Sequence, residues 1–423
     1  MTIHRRDLLK ALATGAATLA APAVARGQAR PRIVIVGGGA GGATLAVTLA
    51  RAHPGAFDIV LIEQDERYVT CFFSNLYLGG LASFESLGHG YGGLAGLGIE
   101  LVTERATSID RDRRSVATPS RPAIAYDRLV VAPGVELDYA SVPGYSAEAA
   151  ELLPHAWKAG PQTRLLKAQL DAVEDGGTIV MLAPPNPFRC PPGPYERISM
   201  MAYALQQSGR SKARIVVLDA KEKFSKQALF MEGWQRHYPG MVEWLPPSVH
   251  GGIDHIDVNT RTVVADLDSF TGALVNVIPA QKAGITAQQA GLVDESGWCP
   301  VDAASMRSTL DAAVFVLGDA SKAGDMPKSA FAASSQAKVA ATAIAADLIG
   351  RPTIEPRYFN TCWSRITAED CVKVGALYLP AEGKITTTAD FVSQPGEPDA
   401  ERAAAARESE AWYGAITAGM FAT

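Results

Sequence analysis

Arg32-Ile-Val-Ile-Val-Gly37-Gly38-Gly39-Ala40-Gly41-Gly42 is the stretch that decides the fold, and the apolar segment 43–50 follows it directly. The β-branched residues before the glycines predict a buried parallel strand, and the apolar segment predicts its crossover helix. Gly37, Gly39 and Gly42 have the spacing that permits a tight turn, close approach of a pyrophosphate, and packing of helix on strand. The helix N-terminus adds free N–H groups and a partial positive charge. The stretch therefore predicts a binding site for an adenine dinucleotide.

Three later segments extend this site. The predicted strand 58–62 ends at Glu63, where a carboxylate accepts a hydrogen bond from a ribose hydroxyl in such domains. Two further predicted strands end at Pro133-Gly134 and at Gly318-Asp319. In flavoproteins with two dinucleotide-binding domains, these are the places where the chain returns to the cofactor, and the aspartate holds its ribityl chain or pyrophosphate. We therefore predict FAD across a domain formed by residues 30–155 and 280–350.

A second βαβ unit is predicted within residues 156–279, with strands at 177–183 and 213–219 and a helix at 195–207. Its first turn reads Pro184-Pro-Asn-Pro-Phe-Arg-Cys190-Pro-Pro-Gly-Pro194, and its prolines lack the N–H donors that cradle a pyrophosphate. The unit has the topology of a nicotinamide domain without the phosphate fingerprint, which argues against NAD(P)H as a partner. The predicted fold class is α/β: two Rossmann-like domains of the FAD/NAD(P)-linked disulfide reductase type, and a C-terminal α+β interface domain at 351–423.

The N-terminal segment predicts export of the protein. Residues 1–25 contain Arg5-Arg6-Asp7-Leu8-Leu9-Lys10, an alanine-rich apolar run and a small-residue cleavage site, an order that resembles a twin-arginine signal. The run is too short to span a bilayer, no later stretch is apolar enough, and periplasmic localisation is expected. The net charge of −5 and the scattered arginines give no reason to expect a nucleic-acid partner.

Five cysteines stand at widely separated positions: Cys71, Cys190, Cys299, Cys362 and Cys371. Cys190 is in the loop at the carboxyl end of a predicted strand, where α/β sheets bind ligands, and Arg189 beside it favours a thiolate. Spacing leaves the partner of Cys190 open among the others, and buried inert thiols remain an alternative. No Cys-x-x-Cys pair suggests zinc, so no metal site is predicted, and no Cys-x-x-Cys-His attaches a c-type haem to this chain.

Several motifs together resemble the flavoprotein subunit of flavocytochrome c sulfide dehydrogenase. They are Thr70-Cys71-Phe-Phe-Ser-Asn75, Arg189-Cys190-Pro-Pro-Gly-Pro-Tyr-Glu196-Arg197, Ser296-Gly-Trp-Cys299-Pro-Val-Asp302, Asn360-Thr361-Cys362 and the terminal Trp412-Tyr413…Met420-Phe421. The resemblance implies FAD bonded through Cys71, a redox-active disulfide between Cys190 and Cys362, and a separate c-type cytochrome subunit as electron acceptor. It assigns no role to Cys299 or Cys371.

Thiol chemistry then predicts how sulfide would react with this site. Hydrosulfide attacks the disulfide, which leaves a persulfide on one cysteine and a thiolate on the other. Glu196 is the candidate proton acceptor, although a carboxylate in the first turn of a helix also simply favours the helix dipole.

Two other functions remain open at this point. A sulfide:quinone oxidoreductase is expected to have an amphipathic apolar C-terminal surface that binds the membrane. The charged segment 399–411 weakens that interpretation. A non-catalytic FAD electron-transfer subunit would not need Cys190 and Cys362 to meet. Lys322 and Lys328 are more simply explained as surface lysines than as groups that steady the flavin.

Overall fold

A computed structural model describes residues 30–422 of the chain. The predicted signal segment 1–25 lies outside the described residues. Within them the chain forms two parallel sheets with flanking helices, a C-terminal antiparallel sheet, and several small two- and three-stranded sheets.

The first large sheet contains the glycine stretch at its centre. Its five parallel strands lie side by side in the order Val314–Val316, Arg128–Val131, Arg32–Val36, Asp58–Ile62 and Ile99–Val102. The central strand is buried along four of its five residues, because helices and loops cover both faces of the sheet. The helix Gly42–Ala52 follows the glycines and packs on the long helix Ala330–Ile349.

The second large sheet has four parallel strands in the order Val242–Leu245, Arg214–Asp219, Thr178–Ala183 and Leu274–Val277. The helix Gly193–Gln207 is the crossover between its two central strands. This helix begins with the glycine and proline at the end of the proline-rich loop, and proline is accepted there because the first turn has no use for its missing N–H.

Two strands connect the two large sheets. Val135–Asp138 leaves the first domain and Ala280–Ala283 returns to it, and the two pair in antiparallel register. The second unit is therefore an insertion between the two halves of the first, which is why segments far apart in sequence share the first sheet. The two-domain α/β prediction is confirmed.

The C-terminal region is a sheet covered by one helix. Strands Tyr358–Arg365, Cys371–Ala381 and Lys384–Val392 pair in antiparallel order, and the helix Asp399–Phe421 contacts the first two of them. The charged segment 399–411 is thus the first half of a longer helix.

Smaller elements complete the described chain. The remaining strands are Arg67–Val69, Gly88–Gly90, Ser108–Asp110, Ser115–Ala117, Ile124–Ala125, Ile253–Asp257, Thr262–Ala265, Ser269–Thr271, Cys299–Pro300 and Ser321–Lys322. The remaining helices are Ser74–Leu78, Gly92–Ala95, Pro161–Asp171, Gln227–His237, Pro247–His250 and Ile285–Gln289, with single 3-10 turns at Glu85–Leu87, Tyr139–Ser141, Ala149–Glu151 and Gly318–Ala320. Between residues 30 and 422, no helix has the length and apolar character needed to cross a membrane.

Candidate active site

The glycine turn forms one wall of a large cleft. Gly37 has φ +102°, and a Cβ there would lie 2.3 Å from the carbonyl oxygen of Ala132. A Cβ on Gly42 would lie 1.9 Å from the carbonyl oxygen of Gly37. Both positions therefore require glycine, whereas Gly39 lines the open cleft beside the ring of Tyr68. The turn has the geometry that the sequence predicts for a pyrophosphate cradle.

The other predicted cofactor residues line the same cleft, whose volume is about 880 Å³. Glu63 accepts hydrogen bonds from the backbone N–H groups of Gly38 (2.7 Å) and Asp65 (3.2 Å), and burial raises its pKa. Pro133 and Gly134 also line the cleft, next to the glycine turn.

Asp319 supplies an unused acceptor in this cleft. Its buried Oδ1 has no hydrogen-bond partner among residues 30–422, and burial raises its pKa. A buried carboxylate oxygen without a partner is costly unless a ligand satisfies it. The glycine turn, the acidic strand end and this free acceptor all fit FAD.

A second, smaller cavity contains three of the five cysteines. Cys71, Cys190 and Cys362 line it together, and its volume is about 90 Å³. The cavity and the large cleft share four lining residues, so the two spaces meet at Cys71, Arg189, Ser329 and Ala330. The structure thus brings the cysteines of three distant motifs to the inner end of the cofactor cleft. All five cysteines are thiols in this structure.

Cys190 lies between the strand Thr178–Ala183 and the helix Gly193–Gln207. Its φ of +57° is in the left-handed region, which is uncommon for a residue other than glycine. Its N–H donates to the carbonyl of Lys328 (2.7 Å), and its own carbonyl accepts from Gly193 (2.7 Å). Arg189 favours the thiolate as expected, but burial outweighs it and raises the pKa of Cys190 well above the usual range.

Cys362 lies on the strand Tyr358–Arg365, opposite the loop of Cys190. Its sulfur accepts a hydrogen bond from the Asn360 amide (3.4 Å), and Asn360 is itself held by the hydroxyl of Ser329 (2.5 Å). Burial raises the pKa of this thiol, while the Asn360 bond and the charge of Lys226 lower it. Sequence reasoning did not identify Lys226, because nothing in its local sequence distinguishes it from a solvated lysine.

Glu196 faces the cysteine cavity. Its carboxylate accepts hydrogen bonds from the side-chain amide of Asn75 (2.8 Å) and the backbone N–H of Arg365 (2.9 Å). Burial raises its pKa, although these two bonds and the charge of Lys226 oppose the shift. The geometry suits a group that takes and returns a proton inside the cavity.

Arg197 lines the cavity, although nothing in its local sequence assigns it a role there. It is 2% exposed, and its guanidinium donates only to neutral oxygens, those of Asn75, Asn276 and two carbonyls. Burial lowers its pKa to about 9, so it is still charged at neutral pH. Its guanidinium lies 5.0 Å from the ring centre of Trp157, and both residues line the cavity.

Cys71 lies where the cleft and the cavity meet. Its carbonyl accepts a hydrogen bond from the hydroxyl of Ser74 (2.6 Å). The preceding Thr70 contacts Tyr413 of the C-terminal helix (3.0 Å between oxygens), and the ring of Tyr413 stacks on Phe73. The C-terminal helix therefore covers the Cys71 turn through Tyr413.

The two remaining cysteines lie away from the cavity. Cys299 is buried in a two-residue parallel pairing with Ser321, and Cys371 is buried beneath the C-terminal helix. Burial raises the pKa of each thiol to about 12. Neither lines the cleft or the cavity.

The two candidate lysines differ from each other. Lys322 is exposed and pairs with Asp294 at 3.0 Å. Lys328 is half-buried, donates to the carbonyls of Asp319 and Ser321 (both 2.8 Å) and lies over the ring of Trp298. Burial lowers its pKa to about 8. The surface interpretation is therefore wrong for Lys328, which links the Asp319 turn to the Cys190 loop through its side chain and its carbonyl.

In the second domain, protein side chains occupy the hydrogen-bonding position that binds a ribose in a nicotinamide domain. The strand Arg214–Asp219 ends in a fully buried aspartate that accepts from Tyr195 (2.5 Å), Trp244 (2.9 Å) and Lys221 (2.5 Å). The ring of Tyr195 stacks on the ring of Phe224, with 3.7 Å between the two ring centres. An acid at this strand end normally holds the ribose of NAD, but here its lone pairs are already occupied.

Three family models match the chain. The pyridine nucleotide-disulphide oxidoreductase model covers residues 31–170. The central model of the sulfide dehydrogenase [flavocytochrome c] flavoprotein chain covers residues 163–279, and the flavocytochrome c sulphide dehydrogenase flavin-binding model covers residues 354–421.

Individual relatives are more distant. The mitochondrial sulfide:quinone oxidoreductase of Mus musculus is 22% identical over 68% of this chain and 65% of its own length. Its counterpart from Dictyostelium discoideum is 33% identical over 27% of this chain and 25% of its own length. The chain thus spans less than two thirds of either relative. The structure of the sulfide:quinone oxidoreductase from Aquifex aeolicus shares the fold, with a TM-score of 0.72, 18% identity and 93% of each chain covered.

The fold, the FAD cleft and the adjoining cysteines define an FAD-dependent member of the pyridine nucleotide-disulfide oxidoreductases. Within that class, the chain belongs to the family of the flavoprotein chain of flavocytochrome c sulfide dehydrogenase. The resemblance that the cysteine motifs carry is confirmed, as is FAD as the cofactor.

Proposed function

We propose that this chain oxidises sulfide at Cys190 and Cys362 and transfers the electrons through FAD to a c-type cytochrome on a separate chain. The observation that carries the proposal is the small cavity, which brings these two cysteines together and meets the FAD cleft at Cys71 and Arg189. FAD, when bound, supplies a two-electron acceptor at that junction.

The chemistry of the cysteines begins from their disulfide. Hydrosulfide forms a bond to one sulfur of the Cys190–Cys362 disulfide, and the bond between the two cysteines breaks. One cysteine becomes a persulfide and the other a thiolate that carries the electron pair. A second hydrosulfide forms a bond to the outer sulfur of the persulfide, and the bond between that sulfur and the cysteine breaks. The two inorganic sulfurs leave together as a disulfane, the cysteine recovers a thiolate, and the pair is again a dithiol that can be reoxidised.

The cavity favours a small inorganic donor. Its volume of about 90 Å³ is well below the 300 Å³ or more that binding sites for larger ligands usually have. Three cationic side chains line the cavity, those of Arg189, Arg197 and Arg365. One carboxylate, that of Glu196, lines it as well. A compact anion such as hydrosulfide fits both the size and the charge of this space.

Glu196 is the proposed proton acceptor. A carboxyl group with a raised pKa releases and accepts protons closer to neutral pH than an ordinary glutamate does. Its bonds to Asn75 and to the backbone of Arg365 hold the carboxylate at the cavity wall.

The remaining parts of the proposal concern location and attachment. The twin-arginine pattern in residues 1–25 supports export to the periplasm. The position of Cys71 at the junction supports a covalent bond to FAD. The sequence contains no Cys-x-x-Cys-His motif, so a cytochrome acceptor would be a separate chain.

A quinone is the second candidate for the acceptor, because the Mus musculus and Dictyostelium discoideum relatives are named sulfide:quinone oxidoreductases. The two acceptors are separated by supplying sulfide with either oxidised cytochrome c or a soluble ubiquinone analogue. Reduction of the cytochrome at a much higher rate supports the proposal, and the reverse favours the quinone.

The test of sulfide oxidation is an anaerobic sulfide titration that follows the flavin absorbance. We expect near-stoichiometric bleaching in the parent, and a loss of at least about 10³-fold in rate for Cys190→Ser and Cys362→Ser. Cys371→Ser is the matched control and should behave like the parent. The proposal fails if sulfide does not reduce the flavin absorbance of the unmodified protein, or if sulfide still bleaches the flavin of the two cysteine variants. A non-catalytic electron carrier would then be the better explanation.

A further inference from the structure

Lys226 occupies an unusual backbone position next to the cysteine site. It directly precedes the helix Gln227–His237 and has φ +62° and ψ +28°, in the left-handed region. A lysine pays a conformational cost there that glycine or asparagine would largely avoid. This strained position nevertheless carries a long cationic side chain, whose ammonium group reaches the C-terminal sheet.

The ammonium group of Lys226 is bound to the cysteine strand and its neighbour. It donates to the carbonyl of Cys362 (3.2 Å), the hydroxyl of Ser364 (2.8 Å) and the carbonyl of Val372 (3.3 Å). All three partners are neutral, and none of the ion pairs among residues 30–422 includes Lys226. The half-buried positive charge is therefore available to an anion that forms close by.

The charged and titratable groups around the two cysteines are arranged unequally. Cys362 is faced by the Lys226 ammonium and the Asn360 amide, which both favour its thiolate, and by Glu196, which opposes it. Cys190 is faced by Cys362, Glu196 and Cys71, which oppose its thiolate, and by the guanidinium groups of Arg189 and Arg197, which favour it. Lys226 also interacts with the charges of Cys371, Glu196 and Cys190, and its interaction with Cys362 is stronger than with any of these three.

We propose that Lys226 is a positioning residue that holds the strand of Cys362 and stabilises its thiolate, so that Cys362 is the leaving group when hydrosulfide opens the cysteine pair. This inference rests on the proposed function. The incoming sulfur bonds to Cys190, the bond between the cysteines breaks, and its electron pair goes to the sulfur of Cys362. The hydrosulfide proton stays on the new persulfide until the carboxylate of Glu196 takes it. A sulfur that is better stabilised as an anion leaves faster, which gives the reaction its direction.

The test measures the two thiols directly and needs no sulfide. The FAD-containing protein is reduced with dithiothreitol, freed of it, and pulsed with iodoacetamide across a range of pH. Peptide mass spectrometry then gives the pH midpoint of alkylation at Cys362 and at Cys190 separately. We compare Lys226→Gln and Lys226→Arg with Lys223→Gln, which removes an exposed lysine from the same loop.

Loss of the charge should raise the Cys362 midpoint by about one pH unit or more, because a nearby opposite charge shifts a pKa by one to three units. The Cys190 midpoint should move less, and Lys226→Arg and Lys223→Gln should leave both near the parent values. Lys226→Asn provides a second neutral variant whose backbone accepts the left-handed conformation, in case Lys226→Gln folds poorly.

A purely structural role would change the yield of folded protein or both alkylation rates together, without moving one midpoint. The inference is overturned by an unmoved Cys362 midpoint in Lys226→Gln or Lys226→Asn, by an equal shift at Cys190, or by an equal effect of Lys223→Gln. Failure of the proposed function would instead be seen in the sulfide titration, which this experiment does not use.

Discussion

The carboxyl group of Glu196 connects three parts of the molecule. It starts on the helix that follows Cys190, and it is held by Asn75 of the first domain and by the backbone of Arg365 in the C-terminal sheet. A carboxylate that only favoured its helix dipole would not need these distant partners. Its environment is that of a group built into the reaction site.

Replacement of Glu196 by glutamine tests this role through pH. Because burial raises the pKa of Glu196, its carboxylate form is lost at a higher pH than for an ordinary glutamate as the pH falls. The rate of flavin reduction by sulfide should therefore decline on the acid side of that raised pKa. Glu196→Gln should lower the rate of flavin reduction about 10²-fold or more, and the rate of this variant should no longer decline at low pH.

The exposed Glu174→Gln is the matched control for that variant and should retain the parent profile. If the rate of Glu196→Gln still declines at low pH as in the unmodified protein, another group transfers the proton. The same shift affects stability: the folded chain binds this proton more tightly than the unfolded chain, so stability falls as the pH rises between the two pKa values.

Cys71 permits a simple test of covalent attachment. The cleft residues around the glycine turn hold FAD without Cys71, so Cys71→Ser should still bind the cofactor. After acid precipitation, we expect FAD to remain with the parent and Cys371→Ser polypeptides and to be released from Cys71→Ser. Complete release of FAD from the parent would show that the bond does not form.

Among the elements, the C-terminal helix Asp399–Phe421 connects the most distant parts of the chain. Its Arg402 is buried and pairs with Asp370 at 3.2 Å, Glu232 at 3.5 Å and Glu397 at 3.1 Å. Glu232 belongs to the second domain, and Asp370 precedes a strand of the C-terminal sheet. The helix is thereby fastened to the second domain and to the C-terminal sheet, both of which contribute other residues to the cysteine cavity.

Removal of this buried charge should destabilise the protein strongly. Arg402→Met leaves three carboxylates without their common cation, and breaking buried ion pairs in this way costs about 3–5 kcal/mol. Thermal unfolding should show a clearly lower midpoint than in the parent. Arg407→Met, at an exposed position on the same helix, should change the stability by less than about 0.5 kcal/mol. Equal midpoints for the two variants would contradict this account of the helix.

Local elements were predictable because their signals are local. The strand Arg32–Val36 and the helix Gly42–Ala52 follow from β-branched residues, glycine spacing and an apolar run within about twenty residues. The ion pairs of Arg402 and the hydrogen bonds of Lys226 were not predictable. Most of their partners lie far away in sequence, and the neighbouring residues give no sign that either side chain is buried.

At the scale of the whole molecule, the insertion of one domain into another creates the site. The proline loop of the second domain, the Cys71 turn of the first and the C-terminal sheet meet at one cavity. The class of fold followed from two βαβ patterns, but cysteine spacing alone could not choose a partner for Cys190. Three-dimensional proximity places Cys362 with it and leaves Cys299 and Cys371 elsewhere.

The most direct test of the central claim is peptide mass mapping of the air-oxidised protein without reduction, before and after one equivalent of sulfide. The account predicts a cross-link between the peptides of Cys190 and Cys362, with Cys299 and Cys371 as free thiols. After sulfide, with free thiols trapped by alkylation, the cross-link should disappear and the peptide of Cys190 should carry one additional sulfur. A cross-link that involves Cys299 or Cys371, or one that sulfide leaves intact, would contradict it.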